Sequence, residues 1–156
     1  MRLGSLESIE ISPRLLELVK THKRFTKHLH LPLQAGSDEI LKAMNRHYTT
    51  DEFARLIENI RREVPDIAIS TDIIVGFPGE TDSQYTTLRN FVEKQRFDKV
   101  GIFSYSREEG TPAYDMPNQV DENIMQERYH DLMSLQSKIS ETINIEMEGK
   151  VLDVLI

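Results

Sequence analysis

The 156-residue sequence contains no cysteine and no tryptophan. Without cysteine the chain can form no disulfide, offers no thiolate nucleophile and has no thiolate metal site. No apolar run approaches the roughly 20 residues of a membrane helix. The first residues do not read as a signal peptide. No membrane association is therefore expected, and the expected compartment is cytoplasmic. Positive charge is in deficit: 19 Lys and Arg stand against 26 Asp and Glu, for a formal net charge of −7. That balance opposes a strong nucleic-acid surface on this chain alone. There is no internal repeat of the roughly 20–50-residue kind. The length suits one ordinary domain.

The most organised stretch is Ile67 to Thr81. Ile67, Ile69, Thr71 and Ile73 fall on one strand face, and Ala68, Ser70 and Asp72 on the other. An Ile-rich strand of this kind needs a sheet covered on its outer face. A small, polar opposite face is one that lines a cavity. The strand runs into Gly76-Phe77-Pro78-Gly79, a turn whose glycines let backbone approach a ligand closely.

Met1 to Glu7 reads as a strand that starts abruptly, as if inside a larger domain. Ser12-Pro13 caps a helix to about Lys20, with Leu15, Leu16 and Val19 inward. His28 to Leu33 is the second strand, with Leu29, Leu31 and Leu33 on one face. Ser37 caps a helix from Asp38 to Asn45. Thr50 caps the next, about Asp51 to Glu63, with Phe53, Leu56, Ile57 and Ile60 at helical spacing. After the third strand, Glu80-Thr81-Asp82 starts a helix to about Gln95, with Tyr85, Leu88, Phe91 and Val92 inward. Lys99 to Tyr105 is the fourth strand. A polar loop covers Ser106 to Gln119. A long helix follows from near Asp121 to Gly149, with the stripe Ile124, Leu132, Leu135, Ile139, Ile143 and Met147. Val151 to Ile156 reads as a further strand, the first of another domain. This alternation predicts a parallel α/β sheet with right-handed crossovers. Its ligand site lies at the carboxyl ends of the strands, here Glu7, Gln34, Asp72 to Gly79, and Tyr105-Ser106.

Three motifs carry a resemblance: Leu31-Pro32-Leu33-Gln34-Ala35-Gly36-Ser37-Asp38 with Met44-Asn45-Arg46, Asp72 through Thr81, and Phe103-Ser104-Tyr105-Ser106-Arg107 with Gly110-Thr111-Pro112-Ala113. In order and spacing the chain resembles the radical SAM methylthiotransferases over nearly its whole length. The wording around Arg2 to Glu7 and His28-Leu29-His30 resembles the branch acting on N6-threonylcarbamoyladenosine in tRNA. The isopentenyladenosine branch is the near alternative, and the ribosomal-protein branch fits less well.

The resemblance implies a (β/α)6 radical SAM barrel, TIM-like, of which residues 1–148 supply the last four strands. Residues 149–156 would begin a TRAM domain. It implies S-adenosylmethionine as cofactor and 4Fe–4S clusters held by cysteines that this chain does not contain, so this chain alone is expected to be inactive. It implies tRNA as partner of the complete enzyme, with weak or no tRNA binding by this chain. By motif position, Glu7 and Gln34 would approach the ribose or methionyl part. Arg46 would pair with the methionyl carboxylate. Asp72 would accept from the ligand or hold Arg46. Gly76, Phe77, Pro78 and Gly79 would pack on adenine, and Ser106 would offer backbone to it. No catalytic group and no metal ligand of its own are expected.

Plainer roles exist for the same residues. Glu7 could be merely solvated, Gln34 could cap the helix after it, and Arg46 could be a helix-end cation favoured by the dipole. Asp72, in a strand interior, needs a partner. A non-radical α/β domain would use the same strand ends for a nucleotide or phosphate, with the glycine turn as an anion nest. An open sheet edge would pair with another copy, giving an oligomer.

Overall fold

The structure is a computed structural model and describes residues 1–7 and 10–151. Three strands form one parallel sheet in the order β1 (His28–His30), β2 (Ala68–Val75), β3 (Lys99–Ser104). Helices α2 (Asp38–Ala43) and α3 (Thr50–Glu63) connect β1 to β2, and α4 (Asp82–Gln95) connects β2 to β3. Helix α1 (Pro13–Thr21) precedes the sheet, and α5 (Glu122–Met147) follows it. The expected parallel β/α alternation is present, in a sheet that stays open, as in part of a barrel.

The helix starts follow local chemistry. Thr49 and Thr81 each accept from the backbone N–H three residues on, and Glu52 and Gln84 reach back to the cap backbone. These reciprocal capping boxes satisfy orphan donors at both helix starts. That is why α3 is capped by Thr49 rather than Thr50, and why α4 begins at Asp82 rather than at Glu80. Leu16, Val19, Phe53, Ile57, Ile60, Leu88 and Val92 are buried, while Leu15, Leu56, Tyr85 and Phe91 pack at the core's margin. On β2, Ile69, Thr71 and Ile73 are fully buried, whereas Ala68, Asp72 and Ile74 stay partly open.

Three larger expectations are corrected. Met1 to Glu7 is not a strand: Ser5 makes one isolated parallel bridge to His30, supported by Leu6 N–H donating to His30 O (3.1 Å). The second strand stops at His30, because Pro32 has no N–H to give the ladder. Leu33 N–H turns instead to Thr71 Oγ1 (2.9 Å). Gln34, at φ 70°, rejoins the sheet through a bridge to Ile73. On α5 only Leu132, Leu135 and Ile139 of the expected stripe are buried; Ile143 packs at the core's margin, and Ile124 and Met147 are exposed. Val151 lies outside any strand, and residues 152–156 of the expected last strand fall outside the described residues.

Tyr48 locks the irregular stretch after β1. Its hydroxyl lies 3.0 Å from both Pro32 O and Leu33 O. Burial pushes its phenol up to about 12 from an ordinary value of 10.0. Between those values the unfolded chain loses the proton while the folded chain keeps it, so stability falls as pH rises. Tyr85, raised by burial and by Asp131, adds to the same slope, so Tyr48→Phe is expected to reduce it and to cost about 1–2 kcal/mol at pH 7, read from urea midpoints. An unchanged slope would show that Tyr48 does not contribute to it.

Candidate functional site

The carboxyl ends of β1, β2 and β3 open on one cavity of about 720 Å³. Gln34 contributes from beyond β1, Asp72 and Ile74 from β2, and Phe103 and Ser104 from β3. Arg46 enters from the turn after α2. There Asn45, at φ 58°, reverses the chain, and Arg46 N–H donates to Leu41 O (2.8 Å). Thr111, Pro112, Ala113 and Met116 close the cavity from the loop after β3. The wall is largely apolar, with Met44, Phe77 and Tyr105 prominent. Phe77 meets Tyr105 edge to face at 5.4 Å, which fixes both rings. Among the described residues the buried Tyr105 hydroxyl has no hydrogen-bond partner.

Of the residues expected from sequence, Gln34, Arg46, Asp72, Phe77 and Ser106 line this cavity. Glu7 is not among the lining residues; it accepts from Arg46 Nη1 at 2.9 Å. Arg46 is therefore held by Glu7 and not by Asp72. Asp72 finds its partner in His30, with Nε2 3.1 Å from Oδ2. Ser106 Oγ donates to Glu108 Oε1 (2.6 Å).

The glycine turn behaves differently. Phe77 faces the cavity, but Gly76, Pro78 and Gly79 are not part of its wall. Gly76 N–H donates to Glu80 Oε2 (2.8 Å), and Gly79 N–H donates to Asn118 O (2.9 Å). Both amides are engaged, so the turn offers no open anion nest. The turn clamps α4 to α5 instead. Arg128 of α5 donates to Glu80 Oε2 (2.8 Å), to Glu80 O (3.2 Å) and to Asp82 Oδ1 (2.7 Å). Burial raises the Glu80 carboxyl above its ordinary range, against the pull of the Gly76 N–H and of Arg128. Nothing in the local sequence announces this pair: Arg128 sits on a helix 48 residues away, at a position the hydrophobic stripe skips.

The open parallel sheet with a cavity at its carboxyl edge defines an α/β domain of the barrel kind. Residues 5–92 match the Radical SAM superfamily, and the chain belongs to that superfamily. It is 46% identical over 147 residues to a tRNA-2-methylthio-N(6)-dimethylallyladenosine synthase of Thermoanaerobacter pseudethanolicus, covering 94% of this chain and 31% of that protein. It is also 46% identical over 145 residues to a ribosomal protein uS12 methylthiotransferase of Heliobacterium modesticaldum, covering 93% and 32%. Identity to a threonylcarbamoyladenosine tRNA methylthiotransferase of Bacillus subtilis is 36% over 155 residues, covering 99% and 34%. The chain thus spans about a third of the length of the curated relatives it matches. In fold it is similar to coproporphyrinogen III oxidase of Escherichia coli, with a TM-score of 0.69 at 14% identity over 86% of this chain and 31% of that one. Among the described residues, no helix is long and apolar enough to cross a membrane.

Proposed function

We propose that the strand-end cavity binds S-adenosylmethionine as part of a radical SAM methylthiotransferase. The observation that carries this reading is the convergence of three parallel strand ends on one 720 Å³ cavity in a chain of this superfamily. That volume falls within the roughly 300–1,000 Å³ common for small-molecule sites. The donor set fits the cofactor. The apolar wall around Phe77 and Tyr105 suits the adenine ring, Arg46 matches a carboxylate, and Asp72 offers an acceptor to an ammonium or ribose hydroxyl. Arg46 exchanges Glu7 for the ligand's carboxylate. With a reduced 4Fe–4S cluster held outside this chain to supply the electron, the bound cofactor would furnish a hydrogen-abstracting radical. The chain has no cysteine to hold such a cluster, and we expect no turnover by this chain alone.

The substrate we infer is an N6-modified adenosine of cytoplasmic tRNA, methylthiolated at C2. Threonylcarbamoyladenosine is the first reading, on the wording of Arg2 to Glu7 and His28 to His30. Dimethylallyladenosine is the second, favoured by 46% against 36% identity to the relatives named for each. Deleting the gene and profiling tRNA nucleosides separates them. Loss of the methylthio-threonylcarbamoyl nucleoside supports the first reading, and loss of the methylthio-dimethylallyl one the second. Intact tRNA with unmodified uS12 contradicts both. At a net charge of −7, this chain by itself is expected to bind tRNA weakly or not at all.

For the cofactor, calorimetric titration should show binding that Asp72→Ala weakens at least about tenfold, the cost of one charge-assisted hydrogen bond. Equal affinity in the two proteins would remove Asp72 from the site.

A further inference from the structure

The inner face of the sheet carries a continuous polar run. Arg2 Nε donates to His28 Nδ1 (3.3 Å). His28 Nε2 lies 3.0 Å from Ser70 Oγ. Ser70 Oγ lies 2.8 Å from His30 Nδ1, and His30 Nε2 lies 3.1 Å from Asp72 Oδ2. The parallel register that sets His30 beside Ser70 brings these groups together from β1 and β2.

Proton inventory gives the run a direction. Asp72 as a carboxylate only accepts, so His30 Nε2 carries a proton. A neutral His30 then accepts at Nδ1 from the Ser70 hydroxyl, whose oxygen accepts in turn from His28 Nε2–H. That leaves His28 Nδ1 as acceptor, within reach of the donor-only guanidinium of Arg2. Arg2 Nη2 also lies 3.2 Å from His28 Nε2, but with Nδ1 accepting, that nitrogen is the ring's donor. The Asp72 end imposes the direction, and Arg2, within reach of both His28 nitrogens, is compatible with it.

The far side of Asp72 is shaped to match. Asp72 is registered with Gly101 of β3, and a Cβ at Gly101 would overlap Asp72 Oδ1. Among the described residues Oδ1 accepts no hydrogen bond from the protein, and Asp72 lines the cavity.

We propose that His30 and Ser70, backed by His28 and Arg2, are positioning residues that fix the Asp72 carboxylate in one rotamer over Gly101. Oδ2 is thereby committed to His30, and Oδ1 is presented to the ligand. This assigns Asp72 its geometry and rests on the cofactor reading only for the identity of that ligand. A second proton on either imidazole breaks the direction of the run. The groups facing His28 are Arg2, His30, Asp98 and Lys99, and burial with Arg2 holds its imidazole below the ordinary range. Those facing His30 are Asp72, Ser70 and His28, since Gly101 contributes no side chain.

Nitrogen-15 NMR of the imidazoles in the ligand-free chain tests the run directly. In their neutral forms both His28 and His30 should carry the ring proton at Nε2. In Ser70→Ala the His30 Nδ1 resonance should move, the Asp72 side-chain couplings should average toward several rotamers, and His22, His47 and His130 should not change. Gly101→Ala should displace the Asp72 rotamer and, by taking the acceptor away from His30 Nε2, loosen the His30 tautomer. An Nδ1-protonated tautomer at either ring, or an Asp72 rotamer unaffected by Ser70→Ala, would overturn the proposal. S-adenosylmethionine affinity, expected to fall roughly three- to tenfold in Ser70→Ala, is read separately. Absence of any binding by the unaltered chain removes the cofactor reading, while the tautomers and the Asp72 rotamer still decide the positioning role.

Discussion

Arg128→Ala is expected to lower the unfolding free energy by about 3–5 kcal/mol, among the largest single losses in the chain. The Arg128 and Glu80 side chains are only 6% and 2% exposed. Removing the guanidinium leaves a carboxylate in the interior with the Gly76 N–H as its one remaining donor among the described residues. An unpaired buried charge is costly because neither water nor a counter-ion compensates for it. Asp82 also loses its bond to Arg128, at little cost, since its side chain is almost fully exposed. Glu80→Gln should cost less than Arg128→Ala. Its side-chain oxygen can still accept from Gly76, and Arg128 keeps Asp82 and the Glu80 carbonyl. Urea midpoints for the two single variants measure both losses. If Arg128→Ala lost less than about 1 kcal/mol, the pair would be solvated and the clamp between α4 and α5 would not exist.

Gly36→Ala is expected to cost about 3 kcal/mol or to prevent folding, near the upper end for overpacking. A Cβ there would overlap the Cα and Cβ of Leu88, a fully buried residue in the middle of α4. Backbone cannot swing aside as a side-chain tip can, so the turn after Gln34 would have to lift away from α4. Gln34 and the α2 start would shift with it, and the cavity would lose one wall. Thermal unfolding and cofactor titration of the same variant should therefore fail together. A variant with unchanged melting temperature would show that the turn has room to move.

Much of the fold was legible because burial follows the period of the element. Phe53, Ile57 and Ile60 mark one face of α3, and Ile69, Thr71 and Ile73 mark the covered face of β2. The capping signals around Thr49-Thr50, Thr81 and Asp121 set helix starts, to within a residue, from local chemistry alone. The strand ends at Gln34, Asp72 and Ser106 could be named because a parallel sheet gathers its carboxyl ends. What was not legible depends on pairings across long sequence distances. Arg128 looks like an ordinary surface cation until α5 crosses the start of α4. The Gly76 to Gly79 turn looks like a ligand loop until its amides meet Glu80 and Asn118. Asp72 clearly needed a partner, but whether that partner was Arg46 or His30 depends on strand register. Periodicity alone does not set that register.

The central claim is that ligand is held at the strand ends and not at the glycine turn. Amide chemical-shift mapping of S-adenosylmethionine on the nitrogen-15-labelled chain tests it most directly. The predicted result is that the largest shifts cluster at Gln34, Asn45, Arg46, Asp72 and Ser104 to Ser106. Shifts concentrated instead at Gly79 to Asp82 and Asn118 to Asp121, where α4 and α5 begin, would contradict the account.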